Sequence, residues 1–422
     1  MKNTVFNKGN IVKVLLSLST EGYDYIVPEN GAYSTGDFVR VPFRNKNETG
    51  VIWGKNESPL DYPISKVREI ESRIGEWKLS PTQMEFLERA ADYNLAPLGN
   101  VLKMCIGFDG LFDEGRKLKK KPALEPAYAG VNLSAEQEAA TEALWARIAG
   151  ADGMEEKNDS IHNSDSAAEP QDNSKGGGFS ATLLNGVTGS GKTEVYFKII
   201  AKMLEKAGLN GEPRPNRPIE RVLDKTESHH MGIEETEPAE TATICDTEKS
   251  RPTDKPQILI MLPEISLTGQ FLSKFESRFG VQPILWHSSL TKAQRRENWK
   301  AAASGAARVV VGTRSSLFLP FKNLALIVLD EEHDSSYKQE DGVIYQGRDM
   351  AVLKASIEKI PIILASATPS IETVVNVEAG KYREVRMDSR YGEAEMPDIT
   401  LIDMRKAKTE KDGHGQAWMS AG

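Results

Sequence analysis

The eight residues Gly186-Val187-Thr188-Gly189-Ser190-Gly191-Lys192-Thr193 constrain this chain more than any other feature. They match the pattern G-x-x-x-x-G-K-[ST] and lie between an apolar run ending at Leu184 and a helical pattern beginning near Glu194. Strand, glycine-rich turn and helix in that order form the repeating unit of a parallel α/β sheet. At ordinary residue abundances the pattern arises by chance in about one chain in fifty of this length, so its setting counts as much as its letters. Glycines let backbone N–H groups converge on phosphate oxygens, and the helix N-terminus adds partial positive charge. Lys192 is placed to reach the β and γ phosphates, and the Thr193 hydroxyl to ligate Mg²⁺.

Short, largely apolar runs recur at residues 183–184, 258–262, 283–286, 308–311, 324–329 and 361–365, separated by helical patterns. Strands that are apolar on both faces belong to a parallel sheet covered by helices on both sides. Two stretches interrupt this rhythm, residues 151–180 with 7 acidic and 2 basic residues and residues 209–255 with 11 acidic and 7 basic. Both are weakly hydrophobic and are expected to be disordered or surface loops inserted into one domain. They hold the excess acid of a chain whose formal net charge is −8, so the rest is close to neutral and nucleic acid is not excluded as a partner.

Ahead of the sheet, residues 11–18, 23–27, 37–43 and 50–53 read as strands, parted by the turn formers Glu29-Asn30-Gly31 and Asn45-Lys46-Asn47. Ser80-Pro81 then caps a helix carrying Phe86, Leu87 and Ala90, and a later helix shows apolar spacing at Ala139, Ala143 and Leu144. Between them runs a basic, proline-containing segment at residues 116–126, either a solvated linker or a phosphate-binding strip. Cys105 and Cys245 stand too far apart in sequence for a disulfide framework or a cysteine-based zinc site, and a reducing compartment fits them. No apolar run approaches the ~20 residues of a membrane helix.

A phosphate loop needs an acidic partner at a neighbouring strand end, and Asp330-Glu331-Glu332-His333 follows the run Leu326-Ile327-Val328-Leu329. Asp330 is placed to hold Mg²⁺, and Glu331 to orient and deprotonate the attacking water. These four residues also resemble the DExH form of superfamily 2 nucleic-acid-dependent helicases. The resemblance extends to Gln137 as the adenine-reading glutamine, to Ser366-Ala367-Thr368 as the motif coupling nucleotide to DNA, and to Leu262–Thr268 and Gly312-Thr313-Arg314-Ser315 as motifs Ia and Ib. His333 joins Ser366 and Thr368 in the coupling set that it implies.

Five stretches narrow the likeness: GVTGSGKTEVY at 186–196, PEISLT at 263–268, VGTRSSLF at 311–318, DEEHDSSYKQ at 330–339 and YQGRDMA at 345–351. They resemble the PriA-type replication restart helicases, the primosomal protein N′ family, over most of residues 1–405. The resemblance implies a RecA-like lobe using ATP and Mg²⁺, preceded by a small, mostly β domain that captures the 3′ end of a nascent strand with Tyr23 and Asp24. It also implies that Arg314, Tyr337, Lys338, Tyr345 and Arg348 lie along single-stranded DNA, where aromatic rings stack on bases and cations meet phosphates. Packing against the sheet edge is the alternative for the two tyrosines. For His287 and the basic residues Lys292, Arg295, Arg296 and Lys300, structural and DNA-facing roles stand equal. Implied partners are forked and single-stranded DNA, restart proteins of the primosome and single-strand-binding protein; the implied location is the bacterial cytoplasm, with the nucleoid.

The expected domains are residues 1–108, a linker at 109–131, the lobe at 132–395 and the start of a connector at 396–422. Against the family pattern, Arg44 stands where a glycine is usual, the linker is too short for a winged-helix domain, and the two acidic insertions are foreign. The zinc module's cysteines and the second lobe do not follow. The expectation is thus the N-terminal half of a 3′ to 5′ DNA helicase that binds ATP·Mg²⁺ and DNA without unwinding alone. A fork-binding adaptor without a working motor, or another superfamily 2 ATPase, are the competing readings.

Overall fold

The computed structural model describes residues 4–17, 19–28, 32–56, 59–108, 110–112, 128–150, 178–208, 255–267, 269–391, 409–411 and 417–420. The basic run at 116–121, nearly all of the two acidic insertions and the connector stretch 396–405 lie outside the described residues.

The N-terminal sheet has six strands in the order Arg68–Glu69, Tyr23–Ile26, Ile11–Leu16, Lys46–Lys55, Asp37–Phe43 and Ser72–Lys78, antiparallel except at the first pair. Val12 and Val14 bury into one face while Leu15 joins the other, the period-2 alternation of a sheet packed on both sides. The charged strands Arg68–Glu69 and Ser72–Lys78 escape a reading based on apolar runs, because their side chains stay largely exposed at the sheet edges.

Two helices follow, α1 (Pro81–Tyr93) and α2 (Leu98–Ile106). Ser80 caps α1 as its sequence predicts, its Oγ accepting from Gln83 N at 3.0 Å with Pro81 in the first turn. Helix α3 (Ala135–Ile148) opens on a capping box between Ser134 and Gln137. Its inward face carries Ala140, Thr141 and Leu144; Ala139, expected inside, is exposed, one residue out of register with the face that packs.

The second sheet is seven-stranded and parallel throughout. Its order is Ile284–Trp286, Val309–Gly312, Gln257–Met261, Leu324–Asp330, Pro361–Ser366, Ser180–Gly186 and Arg383–Met387. Helices α4 (Lys192–Lys206), α5 (Gly269–Phe279), α6 (Lys292–Ser304), α7 (Gly347–Glu358) and α8 (Ile371–Glu378) connect and cover it. Ile258 and Ile260 bury on the face shared with α4 and α5, and Leu259 and Met261 on the opposite one. The edge strand Arg383–Met387 mixes three charged residues with Val385 and Met387, so no continuous apolar run announces it.

The two sheets share one core. Phe38 of the first and Leu259 and Ile327 of the second belong to the same buried cluster, and Trp299 of α6 packs edge-on against both Phe38 and Trp77 while donating to Cys105 O at 2.8 Å. On α6, Arg296 donates to Gly110 O and Leu111 O, and Arg295 to Ser288 O, so these two cations hold backbone carbonyls.

Candidate nucleotide and DNA-end sites

Gly186, Asp330 and Ser366 stand at the carboxyl ends of three neighbouring strands, because the strand ending in Ser366 lies between the other two. Ligands of open parallel sheets bind at this edge. A cleft of about 490 Å³ opens there, lined by Gln137, Gly189, Lys192, Thr193, Asp330 and Glu331 among others.

The phosphate loop turns through Gly189 and Gly191, both at φ +83°, a conformation in which side chains with a Cβ are strained. A Cβ on Gly186 would stand 2.6 Å from Ser190 Oγ, so the loop closes only around a bare glycine. Lys192 folds back and donates to Gly186 O at 2.7 Å. Burial draws its amine down, and the carboxylates of Glu331 and Asp330 oppose that shift.

Asp330 accepts from Tyr196 OH at 2.9 Å through Oδ2 and from Glu331 N at 3.1 Å through Oδ1. Burial pushes its carboxyl up to about 6, with the Glu331 charge adding to that and the Tyr196 bond and Lys192 opposing it. Glu331 itself adopts φ +48°, a left-handed backbone that costs a non-glycine residue on the order of 1 kcal/mol. His333 Nδ1 and Ser366 Oγ lie 2.8 Å apart, and the same Oγ accepts from Thr368 N at 3.1 Å. The three residues expected to couple nucleotide to DNA are thus joined in one chain of hydrogen bonds.

Gln137 occupies the inner wall of the cleft, but as a brace. Its Oε1 accepts from Ser134 N at 2.9 Å, its Nε2 donates to Ser190 O at 2.8 Å, and the residue is buried.

The residues placed on DNA by resemblance divide. Tyr337, Tyr345 and Arg348 are buried, the packing alternative for the tyrosines. Tyr337 OH serves Asp330 O at 2.7 Å and Met261 O at 3.1 Å, Tyr345 meets the Phe318 ring edge-on, and Arg348 donates to Ser370 Oγ at 2.6 Å beside Glu332. Arg314 is committed to Ser336 O and Lys338 O, and only the Lys338 side chain is well exposed.

Sequence reasoning missed Glu332. Fully buried, its carboxylate accepts from Ser370 N, Ser370 Oγ and Thr373 Oγ1, tying the DExH segment to the start of α8. Its only sequence signal is position, one residue past a catalytic candidate. Tyr196 was missed too, although one turn of α4 past Lys192 sets it on the same side of the helix as the loop.

In the N-terminal sheet, Tyr23 and Asp24 border a second cleft, about 330 Å³, with Lys13, Asp61 and Tyr62. Lys13 Nζ stands 3.0 Å from Asp24 Oδ1, and Tyr62 OH donates to Oδ2 at 2.8 Å. That bond to Asp24 raises the Tyr62 phenol to about 12. The Tyr23 ring lies 5.0 Å from Phe43, and Arg44 Cζ sits 5.5 Å over the Phe43 ring. Arg44 adopts φ +53°, so the position where a glycine is usual does hold a glycine-like backbone.

The parallel sheet, the phosphate loop and the facing Asp330–Glu331 pair form a RecA-like lobe, and the DEAD/DEAH box helicase profile matches residues 177–377. The 3′ DNA-binding domain profile matches residues 12–107. The replication restart protein PriA of Rickettsia felis is 34% identical over 406 residues, covering 96% of this chain and 50% of that protein. PriA of Haemophilus influenzae is 29% identical, covering 94% of this chain and 54% of its own. The chain resembles the N-terminal half of the PriA replication restart proteins and spans about half the length of the curated relatives it matches.

Proposed function

We propose that the chain supplies the ATP-binding and DNA-end-binding parts of a 3′ to 5′ helicase that recognises stalled forks and starts primosome assembly. The observation that carries this reading is the meeting of Lys192, Thr193, Asp330 and Glu331 in one cleft, on a lobe that shares its core with a 3′ DNA-binding domain.

The cleft suits ATP·Mg²⁺. Thr193 and Asp330 both line the cleft and offer hard oxygen donors, the donor type that Mg²⁺ takes one or two at a time from proteins. Bound there, the ion would neutralise charge on the phosphates. Lys192 leaves Gly186 O for the phosphate oxygens, exchanging a neutral acceptor for an anionic one. Glu331 takes the proton of the attacking water, and Tyr196 keeps the Asp330 carboxylate oriented. The Ser366–His333 bond sits one strand from both, where a change at the phosphates reaches the DNA-facing segment beyond it.

On the DNA side, Tyr23 stacks on a terminal base and Asp24 accepts from a 3′ hydroxyl, with the exposed Lys338 toward the single strand leading to the lobe. Restart proteins and single-strand-binding protein are the expected protein partners.

The test is ATP hydrolysis by the chain with and without forked DNA bearing a free 3′ hydroxyl. The reading expects DNA to stimulate turnover, and Glu331→Gln to retain ATP binding while lowering turnover by about a hundredfold or more. Full turnover by Glu331→Gln would remove it from the base role.

A further inference from the structure

Asp24, the expected acceptor of a 3′ hydroxyl, is already served within the chain, and its side chain is only 6% exposed. Tyr62 OH donates to its Oδ2 at 2.8 Å, and the Lys13 ammonium lies 3.1 Å from the same oxygen. We propose that Tyr62 is an internal stand-in for the 3′ hydroxyl: its phenol holds the Asp24 oxygen that a DNA end needs, and the end binds by putting its own hydroxyl in that place. The inference deepens the reading of this cleft as the DNA-end pocket and rests on it.

The fold brings the three residues together. Asp24 and Lys13 are cross-strand partners in the antiparallel pair Tyr23–Ile26 and Ile11–Leu16, so their side chains leave the sheet on one face. Tyr62 comes from the connection after Lys55, one residue ahead of Pro63, which opens the short 3-10 turn Ile64–Lys66. Beyond that turn Arg68–Glu69 pairs with Tyr25–Ile26, in the strand that carries Asp24, and Ile70 N donates to Ile26 O at 3.0 Å. Tyr62 is thus tethered a few residues from a strand fixed beside its partner, so the contact closes only a short loop and costs little entropy.

The pocket suits a neutral donor. Lys13 is the one cation among the described residues that line it, against Glu21, Asp24 and Asp61, so a terminal phosphate meets repulsion where a hydroxyl meets an acceptor. Asp24 Oδ1 is shielded from solvent, which leaves the exchange to Oδ2, the oxygen under Tyr62. A phenol and a sugar hydroxyl make the same O–H to carboxylate bond, so one replaces the other with little net gain. The bond to Asp24 raises the phenol to about 12, so at neutral pH it keeps the proton it donates. The Tyr62 ring is 40% exposed, and its swing into water uncovers little apolar surface. A phenol that holds Asp24 about nine-tenths of the time lowers the apparent affinity for a DNA end about tenfold.

The experiment is fluorescence anisotropy of the full chain with single-stranded DNA of one sequence, ending either in a 3′ hydroxyl or in a dideoxy sugar that lacks it. Tyr62→Phe keeps the ring and removes the donor. It should bind the hydroxyl end about five- to tenfold tighter than the parent does and the dideoxy end within about twofold, and adding Asp24→Ala to it should erase the gain. Unchanged or weaker binding of the hydroxyl end by Tyr62→Phe, or an equal gain for both ends, would overturn the stand-in. Tyr23→Ala separates the two levels. Weaker binding of both ends there, beside an unaffected Tyr62→Phe, sinks the stand-in alone, whereas no effect of either substitution sinks the DNA-end pocket with it.

Discussion

Tyr196 OH donates to Asp330 Oδ2 across 2.9 Å, so a phenol on the helix after the phosphate loop holds the carboxyl at the end of the DExH strand. Burial there keeps the Asp330 carboxyl protonated up to about pH 6, whereas an unfolded chain releases that proton near pH 4. Folding binds a proton in that window, so the stability from this group is full below pH 4 and falls as pH rises to 6. At pH 7 the ionised carboxylate is a burden of about 1 to 3 kcal/mol that a bound cation would relieve. Asp330→Asn should therefore raise the melting temperature of the nucleotide-free chain at pH 7 by a few degrees, with no gain at pH 4, while removing Mg²⁺-dependent ATP binding. Thermal melts at the two pH values check this, and a lower melting temperature at pH 7 would contradict it.

Lys354 of α7 donates to Gln83 Oε1 on α1 at 2.7 Å and to Leu317 O and Leu319 O at 2.8 and 3.2 Å, with its amine 4.9 Å from the Phe86 ring centroid. It is fully buried between the N-terminal unit and the lobe. Lys354→Met keeps the bulk and strands two buried acceptors, Gln83 Oε1 and Leu317 O, while Leu319 O keeps its bond from Phe321 N, so it should cost about 2 to 4 kcal/mol in urea unfolding. A loss under about 0.5 kcal/mol would show that the joint rests on apolar packing alone.

Arg44 holds a left-handed backbone over the Phe43 ring. Arg44→Gly removes the strain and should stabilise the chain by up to about 1 kcal/mol. If the guanidinium also meets a DNA phosphate, the same change lowers the slope of log affinity against log salt by about one. An unchanged slope in titrations with 3′-ended DNA would place Arg44 off the DNA path.

Much of the site was legible because its chemistry is local. The loop 186–193 and Asp330–Glu331 are contiguous letters, and strands buried on both faces, such as Gln257–Met261 and Leu324–Asp330, read as unbroken apolar runs. What escaped depends on contacts between distant residues. Tyr337, Tyr345 and Arg348 look like an exposed aromatic and basic loop until Phe318, Glu332 and the strand end at Asp330 close over them. Gln137 matches a base-reading position by sequence yet braces Ser190, 53 residues away. Nothing in the sequence near Lys354 points to Gln83, 271 residues earlier, so the core shared by the two sheets is visible only in the fold.

The central claim is that Lys192, Thr193, Asp330 and Glu331 form one nucleotide site. Calorimetric titration of ATP with Mg²⁺ into the parent chain and into Lys192→Ala tests it most directly. The account predicts one site per chain in the parent and a loss of at least about a hundredfold in affinity in Lys192→Ala, since the lysine meets the charged phosphates. Equal affinity in the two proteins would contradict it.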